Sequence, residues 1–374
     1  MERKSFRGIE LSRLGMGNMR LPRVGDAPDG EIDYGRAEAI IDYAMASGIN
    51  YYDTAWMYHG GKSEEFLGRA LVARYPRDSF YVATKFHYQS NHDYKYVFNE
   101  QLRRLGTDHI DFYLCHAVMD NVYKDYLDCG CIDYLLEQRA AGRIRYLGFS
   151  SHATPQVLRI FADSYGRPWD FVQIQCNYYD WRYSTTREEY EILRDRGIPI
   201  MVMEPVRGGR LAQLTPGAER PLRAAHPDWT PASWALRWVR SLPQVQTVLS
   251  GMSTLGQIQN NVATFSDEES LSERDKGLLE RACETFHDEL SIPCTACRYC
   301  TDTCPAGIDI PQVLALANKV RMGSQGALRD IRKVEGGQPE NCVGCAQCTE
   351  HCPQGIDTPA VMAEMSERLA TAGV

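Results

Sequence analysis

Residues 49–71, INYYDTAWMYHGGKSEEFLGRAL, read as one β-strand running into one α-helix. Asn50–Thr54 is a short, nearly continuous apolar run, the signature of a strand buried on both faces of a parallel sheet. Asp53 ends that run, and the amphipathic segment Ser63–Arg74 follows it. The same unit recurs along the chain. Further strands are expected at Leu14–Gly17, Phe80–Lys85, Asp111–His116, Arg145–Ser150, Phe171–Asn177, Ile198–Glu204 and Gln246–Gly251. Amphipathic helices are expected at Arg36–Ser47, Tyr94–Arg104, Ile132–Ala141, Pro155–Asp163, Thr186–Arg196, Pro231–Arg240 and Leu255–Phe265. Gly48, Gly106, Gly142 and Gly197 stand where left-handed residues stop helices. Eight strands alternating with eight helices over roughly 260 residues is the count and size of an α/β (β/α)8 TIM barrel. A doubly wound sheet would have fewer strands and often a Gly-rich fingerprint after the first, and no G-x-G-x-x-G occurs here.

The chain has 374 residues, more than one hydrophobic core usually spans. We expect residues 1–265 to form the barrel, 266–290 a charged connecting helix opened by Ser272, and 291–374 a second, cysteine-rich domain ending in a helix over Pro359–Ala370. A net charge of −8 disfavours nucleic acid as a partner. No apolar run is long enough for a membrane span and no secretory leader is visible, so a cytoplasmic protein with reduced thiols is expected.

Eight of the 13 cysteines lie between 294 and 352. The run Cys294-x2-Cys297-x2-Cys300-x3-Cys304-Pro305 recurs 48 residues later as Cys342-x2-Cys345-x2-Cys348-x3-Cys352-Pro353. The offset also pairs Gly307 with Gly355, Ile308 with Ile356, Asp309 with Asp357, Pro311 with Pro359 and Val313 with Val361, so the segment is an internal duplication. Three cysteines at three-residue steps wrap one cubane, and the fourth, before Pro, ligates the other cluster of a two-cluster ferredoxin. On that logic Cys294, Cys297, Cys300 and Cys352 hold one [4Fe–4S] cluster, and Cys342, Cys345, Cys348 and Cys304 hold the second. Paired C-x2-C knuckles are also zinc grammar, but zinc needs neither the third in-register cysteine nor the trailing Pro. The long spacer, with helical patterns at Pro311–Arg321 and Gln325–Val334, resembles an α-helical ferredoxin-type domain.

Four polar residues fall at or just beyond strand ends, where the active sites of barrels lie: Asp53, Tyr58, Lys85 and His116. Each alone has an ordinary explanation as a cap, a packed ring, a solvated tip or a core histidine. Their joint placement is the sharper signal.

With D53-T-A-x-x-Y58, G-x-S-E-x-x-L-G-R-A-L at Gly61–Leu71, A-T-K85, the strand-end His116, G-F-S-S at 148–151, Q-I-Q-C-N at 173–177, M-E-P-V-R-G-G at 203–209 and S253-x7-N261, residues 6–265 resemble the aldo-keto reductase family. The C-terminal part resembles its iron–sulfur branch. The resemblance implies an NAD(P)-dependent oxidoreductase that interconverts a carbonyl and an alcohol. Tyr58 would be the acid, Lys85 its pKa tuner, Asp53 the partner of Lys85, and His116 would orient the substrate oxygen. Implied contacts to NADP(H) or NAD(H) are Gly17, Asn18 and Met19 after the first strand, with Ser150, Ser151 and Gln173 at the nicotinamide carboxamide. Arg207, Gly208 and Gly209 would approach the pyrophosphate, and Ser253, Gln257 and Asn261 the adenosine end. Met203 stands where many relatives stack an aromatic ring on the nicotinamide, and Gln257 where many place an Arg on the 2′-phosphate.

Cys115 and Cys176 read as core residues, and Cys129-x-Cys131 lacks a second pair that would make it a metal site. Tyr113, Tyr178, Tyr179 and Trp181 are candidates for a substrate pocket, and His351 lies between cluster ligands. Hydride carries two electrons and each cluster passes one, and a flavin is the usual converter. Two alternatives therefore stand beside a carbonyl reductase: a ferredoxin-linked electron-transfer reductase with a barrel-bound flavin, and a nicotinamide-binding redox sensor.

Overall fold

Eight parallel strands close into a barrel in the computed structural model, which describes residues 1–26, 30–289, 292–321 and 325–373. A hairpin of β1 (Arg3–Phe6) and β2 (Ile9–Ser12) precedes them. The barrel strands are β3 (Leu14–Gly17), β4 (Tyr51–Asp53), β5 (Tyr81–Phe86), β6 (Ile110–Val118), β7 (Ile144–Ser151), β8 (Phe171–Gln175), β9 (Ile200–Met203) and β10 (Val245–Gly251). They pair in the order β10-β3-β4-β5-β6-β7-β8-β9, and β9 returns to β10. All eight expected strands are present, and the alternating helices lie in the expected places to within a few residues. The pairs Gly17–Asp53, Lys85–Leu114 and Ser150–Gln173 lie in register toward the C-terminal ends of their strands, so one end of the barrel collects the polar side chains.

The hairpin was not expected, because its turn is Arg7–Gly8 rather than an Asn-Gly or Asp-Gly pair. Both turn residues have positive φ, 44° and 86°. Phe6, Ile9 and Leu11 are buried with Tyr51, Phe112, Tyr146 and Phe171, residues from the starts of barrel strands. The Phe6 ring meets Phe112 at 5.5 Å and Tyr146 at 5.0 Å. The hairpin therefore plugs the N-terminal mouth of the barrel.

The helix ring packs by amphipathic faces. Tyr94–Leu105 is capped by Asp93, whose side chain accepts from the Tyr96 amide, and ends at Gly106 with φ 67°. It buries Val97, Phe98, Leu102 and Leu105, and with them the polar Gln101. The helix expected at 63–74 is instead an α-helix over Lys62–Leu67 that widens into a π-turn over Gly68–Val72. A Cβ on Gly68 would stand 2.4 Å from the Arg104 carbonyl oxygen, so glycine permits this helix to touch its neighbour. Short helices at Tyr123–Asp128 and Tyr178–Tyr183 carry too few turns for a periodic signal.

The chain divides into two units. The first comprises Met1–Val206 and Ala232–Glu273, and the second comprises Arg207–Pro231 and Arg274–Val374. Residues 207–231, expected in the barrel, thus group with the C-terminal part. In the second unit, helix Pro216–Ala225 and the connecting helix Glu273–Glu289 precede the cysteine-rich sequence. Leu290, the expected end of the connecting helix, and Ser291 lie outside the described residues. Helices Ile310–Arg321, Gln325–Ile331 and Thr358–Ala372 bury Val313, Leu314, Ala317, Ile331, Met362 and Leu369 in one core. Arg321 pairs with Glu364 between the first and last of these helices. No helix among the described residues is long and apolar enough to cross a membrane.

The G-F-S-S strand explains its own glycine. A Cβ on Gly148 would meet the Phe171 carbonyl oxygen at 2.5 Å and its ring at 2.7 Å. Gly148→Ala should destabilise the barrel by about 1–3 kcal/mol through overpacking, seen as a lower urea midpoint.

Candidate functional site

Lys85 lies near the end of β5 with its side chain wholly buried. Its Nζ donates to Asp53 Oδ1 at 2.6 Å and to the Thr54 carbonyl at 2.6 Å. Burial pushes the ammonium below its ordinary pKa, and the Asp53 carboxylate opposes that shift. Burial likewise pushes the Asp53 carboxyl up while Lys85 pulls it down. The pair is one unit: each member is charged in a dry site because the other is there. Asp53 is also held from behind, since Asn18 Nδ2 donates to its carbonyl oxygen at 2.9 Å.

Tyr58 follows in the loop, half-buried, with Lys85 Nζ 5.0 Å from its ring centroid. The His116 ring meets it edge-on at 5.9 Å. All four expected residues are therefore brought together. The electrostatics differ from the expected tuning. Burial first, then Asp53 and Glu204, hold the phenol well above its ordinary value of 10. The ammonium faces the ring, and Tyr58 rests as the protonated acid. Burial and then the Lys85 charge push His116 well below 6.5, so its imidazole is neutral. The His116 carbonyl is pinned by the Tyr126 hydroxyl at 2.6 Å.

A buried polar layer behind β5 was missed by sequence reasoning. Glu64 is fully buried. Its Oε1 accepts from Thr84 Oγ1 at 2.6 Å and Gln101 Nε2 at 2.7 Å, and its Oε2 accepts from Arg104 at 3.1 Å. Gln101 also donates to the Lys85 carbonyl at 3.0 Å and accepts from the Tyr113 hydroxyl at 2.7 Å. Tyr113 thus serves this layer rather than a substrate pocket. The available signal was a glutamate and a glutamine on helix faces that otherwise bury only small or apolar residues.

The expected cofactor residues of the first unit gather at the strand ends. Asn18 and Gln173 are buried, and Asn18 Oδ1 and Gln173 Oε1 have no hydrogen-bond partner among the described residues. His116 Nδ1 and Asp53 Oδ2 are in the same condition. Unpaired buried polar atoms are costly unless a ligand satisfies them. Gln173 Nε2 lies 3.6 Å from Met203 Sδ, which fixes the amide with its oxygen unpaired. Ser150 Oγ accepts from the Ala117 amide at 2.8 Å, and Ser151 Oγ from the Ala153 amide at 3.1 Å. Gly17 closes β3 beside Gly251, and Met19 is exposed just beyond it. Ser253 donates from its amide to Gln257 Oε1 at 2.7 Å, and Thr254 caps the helix Leu255–Ser266. Asn261 ties that helix to Ser250 at 3.0 Å. Arg207, Gly208 and Gly209 fall in the second unit, where Arg207 donates to the Pro293 carbonyl at 3.0 Å and to Gln354 Oε1 at 2.5 Å.

The cysteine repeat is also a structural repeat. Ala296 and Gly344 have φ of 57° and 70°, and Arg298 and Ala346 have φ of 69° and 58°. Non-glycine residues rarely adopt this conformation, yet Arg298 and Ala346 do so at the same loop position of the two copies, and Ala296 does so where the second copy has Gly344. One cavity is lined by Cys294, Cys297, Cys300 and Cys352, and also by Cys348. A second is lined by Cys304, Cys342, Cys345 and Cys348. The fourth cysteine of each run therefore lies with the first three of the other. The Ala296 amide donates to Cys294 Sγ at 3.4 Å, as thiolates ligating iron are commonly supported. All thirteen cysteines are free thiols. Burial pushes the Cys300 thiol up to about 12, so metal binding there would release its proton. Among the described residues no three of His, Cys, Asp or Glu converge on a single metal ion, while the all-thiol lining of the two cavities is the donor chemistry of iron–sulfur clusters.

The fold and the assembled site define an oxidoreductase of barrel architecture with an iron–sulfur domain. The aldo/keto reductase family model matches residues 13–282, and the chain belongs to that family. A 4Fe-4S dicluster domain model matches residues 293–356. The chain is 27% identical over 310 residues to L-galactose dehydrogenase of Arabidopsis thaliana, covering 73% of this chain and 90% of that one. It is 26% identical over 326 residues to the NADH-specific methylglyoxal reductase of Escherichia coli, covering 74% and 96%. A solved aldo-keto reductase from Bacillus halodurans, in its holo form, is 26% identical with TM-score 0.60, covering 75% of this chain and 96% of its own. An aldo-keto reductase from Klebsiella pneumoniae, solved in complex with NADPH, shares the fold at 22% identity and TM-score 0.60, covering 75% and 95%.

The ion pair can be tested as a unit. Asp53→Asn should cost about 3–5 kcal/mol by leaving Lys85 buried without a counter-charge. The double variant with Lys85→Met should cost less than the sum of the two singles, measured by urea unfolding as a double-mutant cycle.

Proposed function

We propose that the barrel binds a nicotinamide cofactor and interconverts a small carbonyl compound with its alcohol, and that the second unit carries two [4Fe–4S] clusters on the ligand sets named above. The observation that carries the first part is the buried Lys85–Asp53 pair beneath Tyr58 and His116, beside the unsatisfied buried oxygens of Asn18 and Gln173. The bound nicotinamide supplies the hydride for reduction and accepts it in the reverse direction. The carboxamide amino group of that ring is a donor of the kind Gln173 Oε1 lacks.

Tyr58, a phenol whose pKa burial and two carboxylates raise further above 10, holds its proton at neutral pH. It gives that proton to the carbonyl oxygen as the carbon gains hydride, leaving a phenolate. The Lys85 ammonium stabilises the phenolate, and Asp53 keeps that lysine charged. His116, neutral in this environment, orients the carbonyl oxygen by hydrogen bonding without competing for the proton. In the oxidation direction the same groups run in reverse. The relatives named for methylglyoxal reduction and L-galactose dehydrogenation direct the substrate search to small oxygenated molecules.

The holoprotein, prepared anaerobically, should release NADP(H) or NAD(H) and no flavin. Released flavin would overturn the nicotinamide reading in favour of an electron-transfer reductase. Tyr58→Phe should retain nucleotide binding, followed by cofactor fluorescence, and lose about 10²–10⁴ in kcat for methylglyoxal or another active aldehyde. Unchanged kcat in that variant would remove Tyr58 as the acid.

Eight iron and eight sulfide per chain are expected by chemical analysis, from two cubanes of four iron and four sulfide each. Zinc without iron would refute the clusters.

A further inference from the structure

The two cluster cavities descend from one duplicated motif, yet their surroundings differ in charge. Residues lining the cavity of Cys304, Cys342, Cys345 and Cys348 are uncharged without exception. The cavity of Cys294, Cys297, Cys300 and Cys352 is lined by Arg298 and His351 as well. Arg298 is neutralised in part by Asp309 at 3.0 Å. Two further arginines, Arg207 and Arg210, reach the chain at and beside these ligands. Arg210 Nε donates to the Cys294 carbonyl at 3.2 Å. Arg207 spans the two repeats, donating to the carbonyl of Pro293, which precedes Cys294, and to Gln354, two residues beyond Cys352. The first repeat cannot copy that grip, because the residue matching Gln354 is Ala306.

Resting on the two-cluster reading above, we propose that Arg207 and Arg210 raise the reduction potential of the cluster held by Cys294, Cys297, Cys300 and Cys352 above that of its twin, so that a single electron entering the domain rests there. The reduction takes the cubane core from 2+ to 1+, and with four thiolates the net charge from −2 to −3. A fixed positive charge in a low-dielectric wall favours the more negative state. Exposure of Cys345 works the other way, because water stabilises charge at the second cluster. Two fixed guanidiniums beside the first set outweigh one exposed thiolate. The arginines are positioning residues for charge and touch no reacting atom.

The test is a dithionite titration of the anaerobic holoprotein, followed by electron paramagnetic resonance. Wild type should show two one-electron steps. Arg210→Gln and Arg207→Gln should each move only the higher step to more negative potential, by about tenfold in the reduction equilibrium, or ~59 mV. Arg210→Lys should restore most of the shift, since it keeps the charge. Arg332→Gln, which breaks an exposed pair with Glu340, should move neither step. Unmoved steps in both arginine variants, a shift confined to the lower step, or no recovery with lysine would each overturn the proposal. If wild type itself holds four iron or a single reducible centre, the two-cluster reading fails first, and iron analysis separates that outcome from the others.

Discussion

A single buried ion pair organises the active end of the barrel. Lys85 and Asp53 stand on adjacent strands, β5 and β4, and meet at 2.6 Å with almost no solvent around either. Neither charge would be tolerable alone at that depth. The pair therefore forces everything around it: strand ends fixed in register, Thr54 offering its carbonyl to the ammonium, and Asn18 holding the Asp53 backbone. The layer of Glu64, Thr84 and Gln101 behind β5 extends the same constraint outward. It anchors the Lys85 backbone and adds a second carboxylate to the field that keeps the lysine charged. The floor of this arrangement is the hairpin plug at the opposite mouth, which packs aromatic side chains into the barrel.

Most of this was legible because strand-end chemistry and strand burial leave separate marks. A run such as Tyr81–Phe86 is apolar up to its last turn and then shows a lysine, a residue that apolar packing would never select. Asp53 and His116 are marked in the same way. The hairpin left no mark, because Arg7–Gly8 adopts a turn that its residue types do not advertise. The Glu64 layer was hidden because buried polar residues on a short helix read as surface until their partners, twenty and thirty-seven residues away, are in place. Residues 207–231 grouped with the second unit for a related reason. M-E-P-V-R-G-G carries the family pattern, while what its one arginine binds is written nearly ninety and a hundred and fifty residues further on. Periodicity reports which face of an element is buried, and says nothing of which distant group satisfies a guanidinium.

The cysteine repeat was legible in finer detail than the barrel, since metal ligation fixes spacing residue by residue. The structure adds that Cys304 and Cys352 exchange places between the two cavities. That exchange makes the duplication obligatory. Either run alone places three cysteines around its own cavity and the fourth at the other, so on the two-cluster reading neither half completes a cubane without the other. The two sites are thereby fixed side by side, with Cys348 and Thr358 bordering both cavities.

Obligate pairing has a consequence for electron counting. The hydride chemistry proposed for the barrel moves electrons in twos, and one cubane takes one. On the two-cluster reading, a domain built from two interlocked runs would hold two electrons, one on each cubane. Storage at different potentials needs an asymmetry between the two copies. Part of it lies inside the motif, where Arg298 matches Ala346, His351 matches Thr303 and Gln354 matches Ala306. The rest, on the proposal above, lies outside it at Arg207 and Arg210. Divergence around the ligands would then let two copies of one motif hold their electrons in a defined order.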